Sequence, residues 1–284
     1  MNSFIKKLAA VATLAAMVLT VGCGSSKPKE PTAPTTDAPA QTAPATDGSI
    51  QKIKDRGVLK VGVKVDVPKF GYKNTSTNEV EGFEIDLAKK IAGKIFGDES
   101  KVEVQGVTAK TRGPLLDNGE VDLIIATFTI NDERKEVYNF SDPYFTDGVG
   151  LLVKKAAGFK SLADMDGKTI GVAQSATSKE AIDAAAKELG VKVSFSEFAS
   201  YPEIKAALDS GRVDVFSVDG AILAGYLDDT TEILPDRFSP QEYGVASKKS
   251  NVELATLVND TVNELKTNGE LDKMLETWGI SNSK

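Results

Sequence analysis

The side chains that most often carry out catalysis are scarce in this sequence. The chain of 284 residues contains no histidine and one cysteine, Cys23. The lack of histidine excludes Ser-His-Asp and Cys-His catalysis, as well as histidine-ligated zinc. A single cysteine also excludes an intrachain disulfide and a CxxC site. The sequence therefore favours a protein that is not an enzyme, and it gives no reason to expect a cofactor or a metal.

Charged and hydroxyl side chains are instead found where predicted strands end, or in the loops that follow them. Three are cations, one is a carboxylate and the others carry hydroxyl groups. Arginine is the side chain best suited to gripping a carboxylate through two parallel hydrogen bonds, so this set favours an anionic ligand group. The candidate ligand-binding residues are Lys64, Arg112, Thr127, Thr129, Arg134, Thr177, Tyr201 and Asp219.

Arg134 has the most unusual position of these candidates. It follows Asn131-Asp132, a predicted helix start, and therefore lies in the first helical turn. A cation in that turn opposes the helix dipole. This placement is easier to explain if an anion completes the site. The alternative is a surface ion pair of Arg134 with Asp142 or Glu133.

Each of the other candidates also has a purely structural alternative. Asp219 can be only the N-cap of the helix that follows it. Thr177, with Glu180 three residues later, fits a capping box. The remaining alternatives are a packing role for Tyr201 at a helix start, a solvated strand end for Lys64, and an ion pair of Arg112 with Asp117.

The first long predicted helix covers residues 83–96 and carries two carboxylates near its start. Its apolar residues recur at helical spacing, which is typical of an amphipathic helix. Glu84 and Asp86 look like a carboxylate pair, but they lie on the polar side of this helix. We therefore expect both to be solvated, and neither is assigned to the site.

Strand and helix patterns alternate along the chain and repeat. The run 121–128 is almost entirely apolar, as expected of a parallel strand that is buried on both faces. The segment LDNGEVD at 116–122 recurs as LDSGRVD at 208–214, and each copy ends a helix, turns at glycine and enters a buried strand. Such alternation implies right-handed βαβ units. We predict two lobes of one topology, although two unrelated turns with common letters would look similar.

The predicted fold class is α/β, with two lobes that each contain a mostly parallel sheet flanked by helices. Residues 50–152 and 246–284 are assigned to lobe 1, and residues 153–245 to lobe 2. The strand-like segments 150–155 and 243–249 are the expected hinge crossings. Two such crossings suit a clamshell that closes on a ligand.

Ligands of open parallel sheets bind beyond the carboxyl ends of the strands. The internal repeat makes Thr127 and Asp219 equivalent, with one on each lobe. We therefore expect these two side chains to face each other across the cleft.

The amino terminus has the layout of a lipoprotein signal. Residues 1–22 carry two lysines near their start, Lys6 and Lys7, followed by an apolar run that is too short to span a bilayer comfortably. The segment that ends in Gly22-Cys23 resembles a lipobox, with Thr20 where leucine is usual, so Cys23 is the expected acylation site. Residues 23–49 are then the acylated cysteine and a tether rich in Pro, Thr and Ala, which we expect to be disordered. The alternative is an ordinary signal peptide with an incidental cysteine.

The segment 82–92, GFEIDLAKKIA, resembles the signature of the family 3 periplasmic solute-binding proteins, which serve importers of polar amino acids. The segment from Thr127 to Arg134 and the run FSDPY at 140–144 are similar to the ligand-carboxylate segment of that family. The resemblance covers Ile53 to Trp278 and is strongest for the aspartate/glutamate-binding branch. The runs that carry this closer likeness are VGVK at 61–64, KTRGPLL at 110–116, IIATFT at 124–129, YP at 201–202 and FSVD at 216–219.

The resemblance implies the two-lobed fold of type II periplasmic binding proteins and a role for each candidate. Arg134 would hold the α-carboxylate of the ligand, together with Thr129 and groups around Thr177. Asp219 would take the α-ammonium group. The side chain of the ligand would be surrounded by Lys64, Arg112, Thr127 and Tyr201.

The ligand preference is predicted from the charge around that side chain. Lys64 and Arg112 are two cations, and a buried carboxylate needs such paired charges. A neutral amide would leave both cations under-satisfied. We therefore expect glutamate or aspartate to be preferred. Glutamine or cysteine binding by the same fold is the alternative. Alternatives from other functional classes are a dehydratase-like enzyme, a sensor and an adhesin.

The expected partners follow from this interpretation. The closed protein would be a monomer that the permease and ATPase of an ABC importer recognise. A lipid anchor would hold it on the outer face of the cell membrane or in the periplasm. The formal net charge is -7, and such an acidic chain without a block of lysine and arginine is a poor nucleic-acid binder.

Overall fold

The computed structural model describes residues 47–281. The predicted signal segment, Cys23 and nearly all of the tether lie outside the described residues, so they stay predictions. The described residues belong to one compact unit. None of the helices in this part of the chain is both long enough and apolar enough to cross a membrane.

Strands and helices alternate over most of the described chain. The strands are β1 Leu59–Val63, β2 Asp66–Val67, β3 Gly71–Lys73, β4 Val80–Glu81, β5 Val102–Gly106, β6 Leu123–Ile125, β7 Tyr138–Phe140, β8 Phe145–Lys154, β9 Thr169–Ala173, β10 Ser194–Phe198, β11 Val215–Asp219, β12 Thr231–Ile233, β13 Phe238–Tyr243 and β14 Ala246–Lys248. The helices are α1 Ser49–Arg56, α2 Phe83–Phe96, α3 Arg112–Asn118, α4 Asp132–Val137, α5 Ser178–Leu189, α6 Tyr201–Ser210, α7 Gly220–Ala224, α8 Val252–Thr267 and α9 Glu270–Thr277.

Two sheets share one topology, as the sequence repeat predicts. In the first sheet the parallel strands are ordered β5-β1-β6, and in the second they are ordered β10-β9-β11. The first strand of each βαβαβ unit therefore lies between the other two. Antiparallel strands extend both sheets, with β14 and β7 in the first and β8, β12 and β13 in the second. The prediction of two α/β lobes is confirmed.

The repeated heptapeptide fixes the third strand of each unit. In both copies the glycine closes a helix with a φ of 75°, a left-handed conformation that glycine adopts without strain. The last aspartate of each copy then accepts a hydrogen bond from the backbone of the first strand. Asp122 accepts from Lys60 N, and Asp214 accepts from Thr169 N, both at 2.8 Å. The repeat is thus a structural device that joins strands, and it is not part of the ligand site.

The first crossing comes earlier in the chain than the sequence indicated. The strand β8 pairs with β13 from Phe145 onwards, so all ten of its residues belong to the second sheet. The segment 150–155 therefore does not leave lobe 1, and the lobe boundary at residue 152 is wrong. Hydrophobic pattern alone cannot tell which sheet an apolar strand will join. The return crossing lies between Tyr243 and Ala246, within the segment that was predicted for it.

Aromatic rings fill the space at the two crossings. The ring of Phe145 lies 5.2 Å from that of Phe70 and 5.5 Å from that of Tyr243. Tyr144 packs at 6.3 Å from Tyr243 and at 5.8 Å from Phe83. All five rings are almost completely buried. Aromatic pairs at these distances stabilise beyond the area they bury, so the crossings are firmly packed.

The second copy of the repeat supplies a stability test with an internal control. Asp214→Ala removes the acceptor of Thr169 N and should lower the free energy of unfolding by about 1–3 kcal/mol. Asp209→Ala, five residues earlier, removes only a partly exposed ion pair with Lys205 and should cost less than about 1 kcal/mol. Chemical denaturation measures both values. Equal losses in the two variants would contradict the structural role of Asp214.

Candidate ligand-binding cleft

The eight predicted ligand residues form one connected group between the lobes. Six of them are buried, and Arg134 and Thr177 are partly exposed. The lobes touch across this group, since Tyr226 Oη of lobe 2 donates to the backbone oxygen of Asp66 in lobe 1. The lobes are therefore closed on each other in this structure. That these side chains bind a ligand stays a prediction.

Lys64 follows β1 and is buried, with 1% of its surface exposed. Its ammonium group lies 2.9 Å from Asp66 and 4.5 Å from the centre of the Tyr201 ring. Burial lowers the pKa of Lys64, and the charge of Asp66 opposes this change. The alternative of a solvated strand end is wrong. Asp66 was not among the predicted site residues, although it lies only two residues from Lys64.

Arg112 begins α3 and is also buried. Its Nη1 donates to the backbone oxygens of Ala126 at 2.8 Å and Thr127 at 3.2 Å, and its guanidinium lies 4.0 Å above the Phe128 ring. Asp117, the partner considered from the sequence, instead accepts a hydrogen bond from a tyrosine. Within the described residues, Arg112 Nε is buried and has no acceptor. A ligand oxygen would satisfy it.

Arg134 lies in the first turn of α4 and reaches across the cleft. Its Nη1 donates to the backbone oxygen of Thr129 at 2.7 Å, and its Nη2 donates to that of Ser175 in lobe 2 at 3.3 Å. Burial, reinforced by the positive charge of Arg112, lowers the pKa of Arg134 to about 9. Among the described residues Arg134 has no ion pair with Glu133 or Asp142. Both hydrogen bonds of the guanidinium are to backbone oxygens, which agrees with a role in binding an anionic group.

Two predicted hydroxyls meet at a residue that the sequence did not single out. Thr129 Oγ1 and Thr177 Oγ1 donate to Gln241 Oε1 at 2.8 and 2.7 Å. Gln241 lies on β13 and is buried. Thr177 makes no side-chain cap to α5, so the capping-box alternative is wrong. The pattern of β13 carries no signal that could have identified Gln241, because its role depends on two lobes meeting there.

Asp219 ends β11 in lobe 2 and is 4% exposed. It accepts a hydrogen bond from the phenol of Tyr243, and it makes no side-chain cap to α7. Burial raises the pKa of Asp219 to about 7, and the negative charge of Asp147 adds to this effect. The hydrogen bond and the charges of Arg112 and Arg134 oppose it. A ligand ammonium group would give this carboxylate the cation that its burial requires.

Tyr201 begins α6 and combines packing with a position in the site. Its ring lies 6.2 Å from that of Phe216 and 6.5 Å from that of Tyr226, and burial raises the pKa of its phenol. The packing alternative is therefore correct. The same ring also forms the surface beneath the Lys64 ammonium.

Glu84 is buried, and the expectation that it is solvated is wrong. It is 0% exposed, and its Oε1 accepts hydrogen bonds from Thr127 N and Tyr144 Oη, both at 2.6 Å. Its Oε2 is buried without a hydrogen bond among the described residues. Burial raises the pKa of Glu84 to about 7, against these hydrogen bonds and the charges of two nearby cations. Helical periodicity failed here because the loop after β6 covers the first turn of α2.

Asp86 fits the expectation better than its neighbour. It remains partly exposed and binds Lys89 at 2.9 Å and Trp278 Nε1 at 2.9 Å. It therefore belongs to the outer side of lobe 1.

Thr127 completes the cleft with an uncommon backbone conformation. Its φ is 44°, in the left-handed region that is a strong outlier for a β-branched residue. Such strain persists only where the surroundings hold it, and it is concentrated at functional sites. Glu84 holds the N–H of Thr127, and Arg112 holds its backbone oxygen. That Thr127 is a functional position stays a prediction of the repeat, and the repeat did not predict this conformation.

Two lobes of one α/β topology, closed over buried charges, define the class of type II periplasmic binding proteins. The family model for bacterial extracellular solute-binding proteins, family 3, matches residues 59–171. A second model, NMT1/THI5 like, matches residues 135–256.

Individual relatives agree with this class. The chain is 37% identical to the ABC transporter glutamine-binding protein GlnH of Bacillus subtilis, over 95% of each chain. It is 42% identical to a glutamine-binding protein of Geobacillus stearothermophilus, over 89% of this chain and 95% of that one. A solved ancestral arginine-binding protein bound to glutamine is 38% identical, with a TM-score of 0.71 over 80% of this chain and 99% of that chain.

The chain belongs to family 3 of the bacterial extracellular solute-binding proteins. It is a substrate-binding protein of an amino-acid ABC importer, and it acts outside the cytoplasm.

The raised pKa of Asp219 predicts pH-dependent binding. A carboxyl group with a pKa of about 7 is mostly protonated at pH 6, and only its ionised form attracts an ammonium group. Affinity for an amino acid should therefore fall on the order of tenfold between pH 8 and pH 6. Calorimetry at the two pH values measures the change. Asp219→Asn should bind weakly at both, and a wild-type affinity that stays constant would exclude an ammonium contact at Asp219.

Proposed function

We propose that this protein captures L-glutamine between its lobes and delivers it to the membrane permease of its importer. The expectation of an acidic ligand assumed that two cations, Lys64 and Arg112, have no counter-charge within the protein. The contacts of the described residues favour an uncharged side chain instead. Glutamine, an alternative at the start, is therefore the better supported ligand.

The ion pair of Lys64 with Asp66, at 2.9 Å, is the observation that carries this proposal. It supplies Lys64 with a counter-charge from the protein, so no ligand carboxylate is needed there. A ligand carboxylate near this pair would meet the negative charge of Asp66 as well as the positive charge of Lys64. Like charges in a buried site are costly, because little water is present to screen them.

The charges of the six ionisable groups assigned to the ligand site balance without an acidic ligand. Three cations lie there with three carboxyl groups, and a glutamine zwitterion adds no net charge. Glutamate would add one negative charge, which is unfavourable in a buried site that is already balanced. The groups are Lys64, Arg112 and Arg134 on one side of this balance and Asp66, Glu84 and Asp219 on the other.

An amide also matches the hydrogen-bonding groups of the cleft. Arg112 Nε is buried without an acceptor among the described residues, and an amide oxygen would accept from it. The amide NH₂ group would have the Asp66 carboxylate as an acceptor. A carboxylate has no hydrogen to donate and could serve only the first of these two groups. Two related glutamine-binding proteins and one related solved structure bound to glutamine add support.

The remaining roles keep the assignments made from the family resemblance. Arg134 binds the α-carboxylate beside Thr129 and Thr177, and Asp219 binds the α-ammonium group. The protein works as a monomeric binding module and not as an enzyme. Acylation of Cys23 anchors it to the membrane beside the permease and ATPase.

A titration of the wild-type protein with several amino acids tests the ligand. At pH 8, glutamine should bind at least about tenfold more tightly than glutamate, because one unbalanced buried charge costs more than about 1.4 kcal/mol. Calorimetry with glutamine, glutamate, aspartate, cystine and arginine gives the order directly. Glutamate binding as tightly as glutamine would overturn the proposal.

The α-carboxylate assignment has its own test. Arg134→Ala should weaken every amino-acid ligand by about 100-fold or more, since the loss of a buried ionic partner costs about 3–5 kcal/mol. Lys135→Ala is the matched control, because it removes the same charge from the next, more exposed residue of α4. Its affinities should stay within about twofold of wild type. An Arg134→Ala protein that binds normally would refute the assignment.

A further inference from the structure

Glu84 is a buried charged group to which the proposed function gives no ligand contact. It lies in the first turn of α2, where the helix dipole favours a carboxylate. One oxygen accepts from Thr127 N and Tyr144 Oη, and the other is buried without a hydrogen bond among the described residues. Burial of such a carboxylate costs free energy, and a role in packing alone would not offset that cost.

Glu84 and Arg112 hold opposite sides of the same strand end. Glu84 accepts the N–H of Thr127 at 2.6 Å, while Arg112 Nη1 donates to the backbone oxygens of Ala126 and Thr127. Thr127 keeps its left-handed φ of 44° between these two contacts. Glu84 thus positions a residue that we place against the ligand side chain.

The cations near Glu84 are the same ones that face the ligand side chain. The charges of Lys64 and Arg112 both act on Glu84, and both lower its pKa against the larger effect of burial. Tyr144 is the other ionisable group in contact with it, and burial keeps that phenol protonated. The negative charge of Glu84 therefore offsets part of the positive charge of Lys64 and Arg112. That positive charge would otherwise favour a ligand carboxylate over an amide.

We propose that Glu84 is a specificity-determining residue. It offsets the charge of Lys64 and Arg112 and positions Thr127, so that the cleft prefers an uncharged ligand side chain. The inference rests on the proposed amino-acid site. It concerns the ratio of two affinities and not which ligand binds more tightly in the wild type.

Glu84→Gln separates the charge from the hydrogen bonds. The amide oxygen of glutamine can still accept from Thr127 N and Tyr144 Oη, but the negative charge is lost. At pH 8, calorimetry with glutamine and glutamate should show their affinity ratio shifted at least tenfold toward glutamate. Asp86→Asn is the matched control, since it removes a charge from the same helical turn on its outer side, and it should leave the ratio unchanged.

Glu84→Asp tests the positioning role. The shorter side chain keeps the charge but draws the carboxylate back from Thr127 N. We expect the glutamine-to-glutamate ratio to stay near the wild-type value while both affinities fall several-fold. A ratio shifted as far as in Glu84→Gln would contradict the role of the charge.

The wild-type protein offers a second measurement. Protonation of Glu84 at pH 5.5 should act as Glu84→Gln does and move the affinity ratio toward glutamate relative to pH 8. The pKa of Asp219 is also about 7, so the measurement is repeated with Glu84→Gln, in which any pH dependence of the ratio that remains belongs to Asp219. A ratio that is constant with pH in the wild type and unchanged in Glu84→Gln would overturn the proposal. If the wild type itself prefers glutamate, only the glutamine assignment fails, because Glu84→Gln must still raise the relative affinity for glutamate.

Discussion

Burial of charge between the lobes is the constraint on which the rest of the structure depends. Between the lobes Lys64, Glu84, Arg112 and Asp219 are buried, while Asp66 and Arg134 are partly exposed. Such groups are tolerated only when counter-charges and hydrogen bonds replace the lost hydration. Lobe 1 meets this condition by the pairing of Lys64 with Asp66 and by the contacts of Glu84, and in lobe 2 Asp219 accepts a hydrogen bond from Tyr243. Closure can therefore bury these groups without leaving a large net charge for a ligand to neutralise.

The two-fold repetition of one topology explains how so few residues can build such a site. Each βαβαβ unit brings the end of its third strand to the same edge of a sheet, and the repeated aspartates fix that strand against the first one. Thr127, just after β6, and Asp219, at the end of β11, occupy equivalent positions of the repeat, one in each lobe. The repeat supplies only the framework. The chemistry comes from different side chains at equivalent positions, a hydroxyl on one lobe and a carboxylate on the other.

The sequence predicted local structure better than contacts between distant segments. The bounds of α2 agree with the helical pattern at 83–96, because amphipathic periodicity is a local property. The apolar run 121–128 contains a strand of only three residues, since strand length also depends on partners. The eight candidate residues come together as expected. Glu84, Gln241 and Tyr243 were missed because their burial arises only when the loop after β6, β13 and both lobes meet.

The tyrosines at the crossings connect the site to the hinge. Tyr144 precedes β8 and donates to Glu84, while Tyr243 ends β13 and donates to Asp219. Their rings pack at 6.3 Å, and Tyr144 N also donates to the backbone oxygen of Tyr243 at 2.9 Å. Each crossing thus holds one buried carboxylate of the cleft. Burial raises the pKa of both carboxyl groups, and the hydrogen bonds from these two phenols oppose that shift.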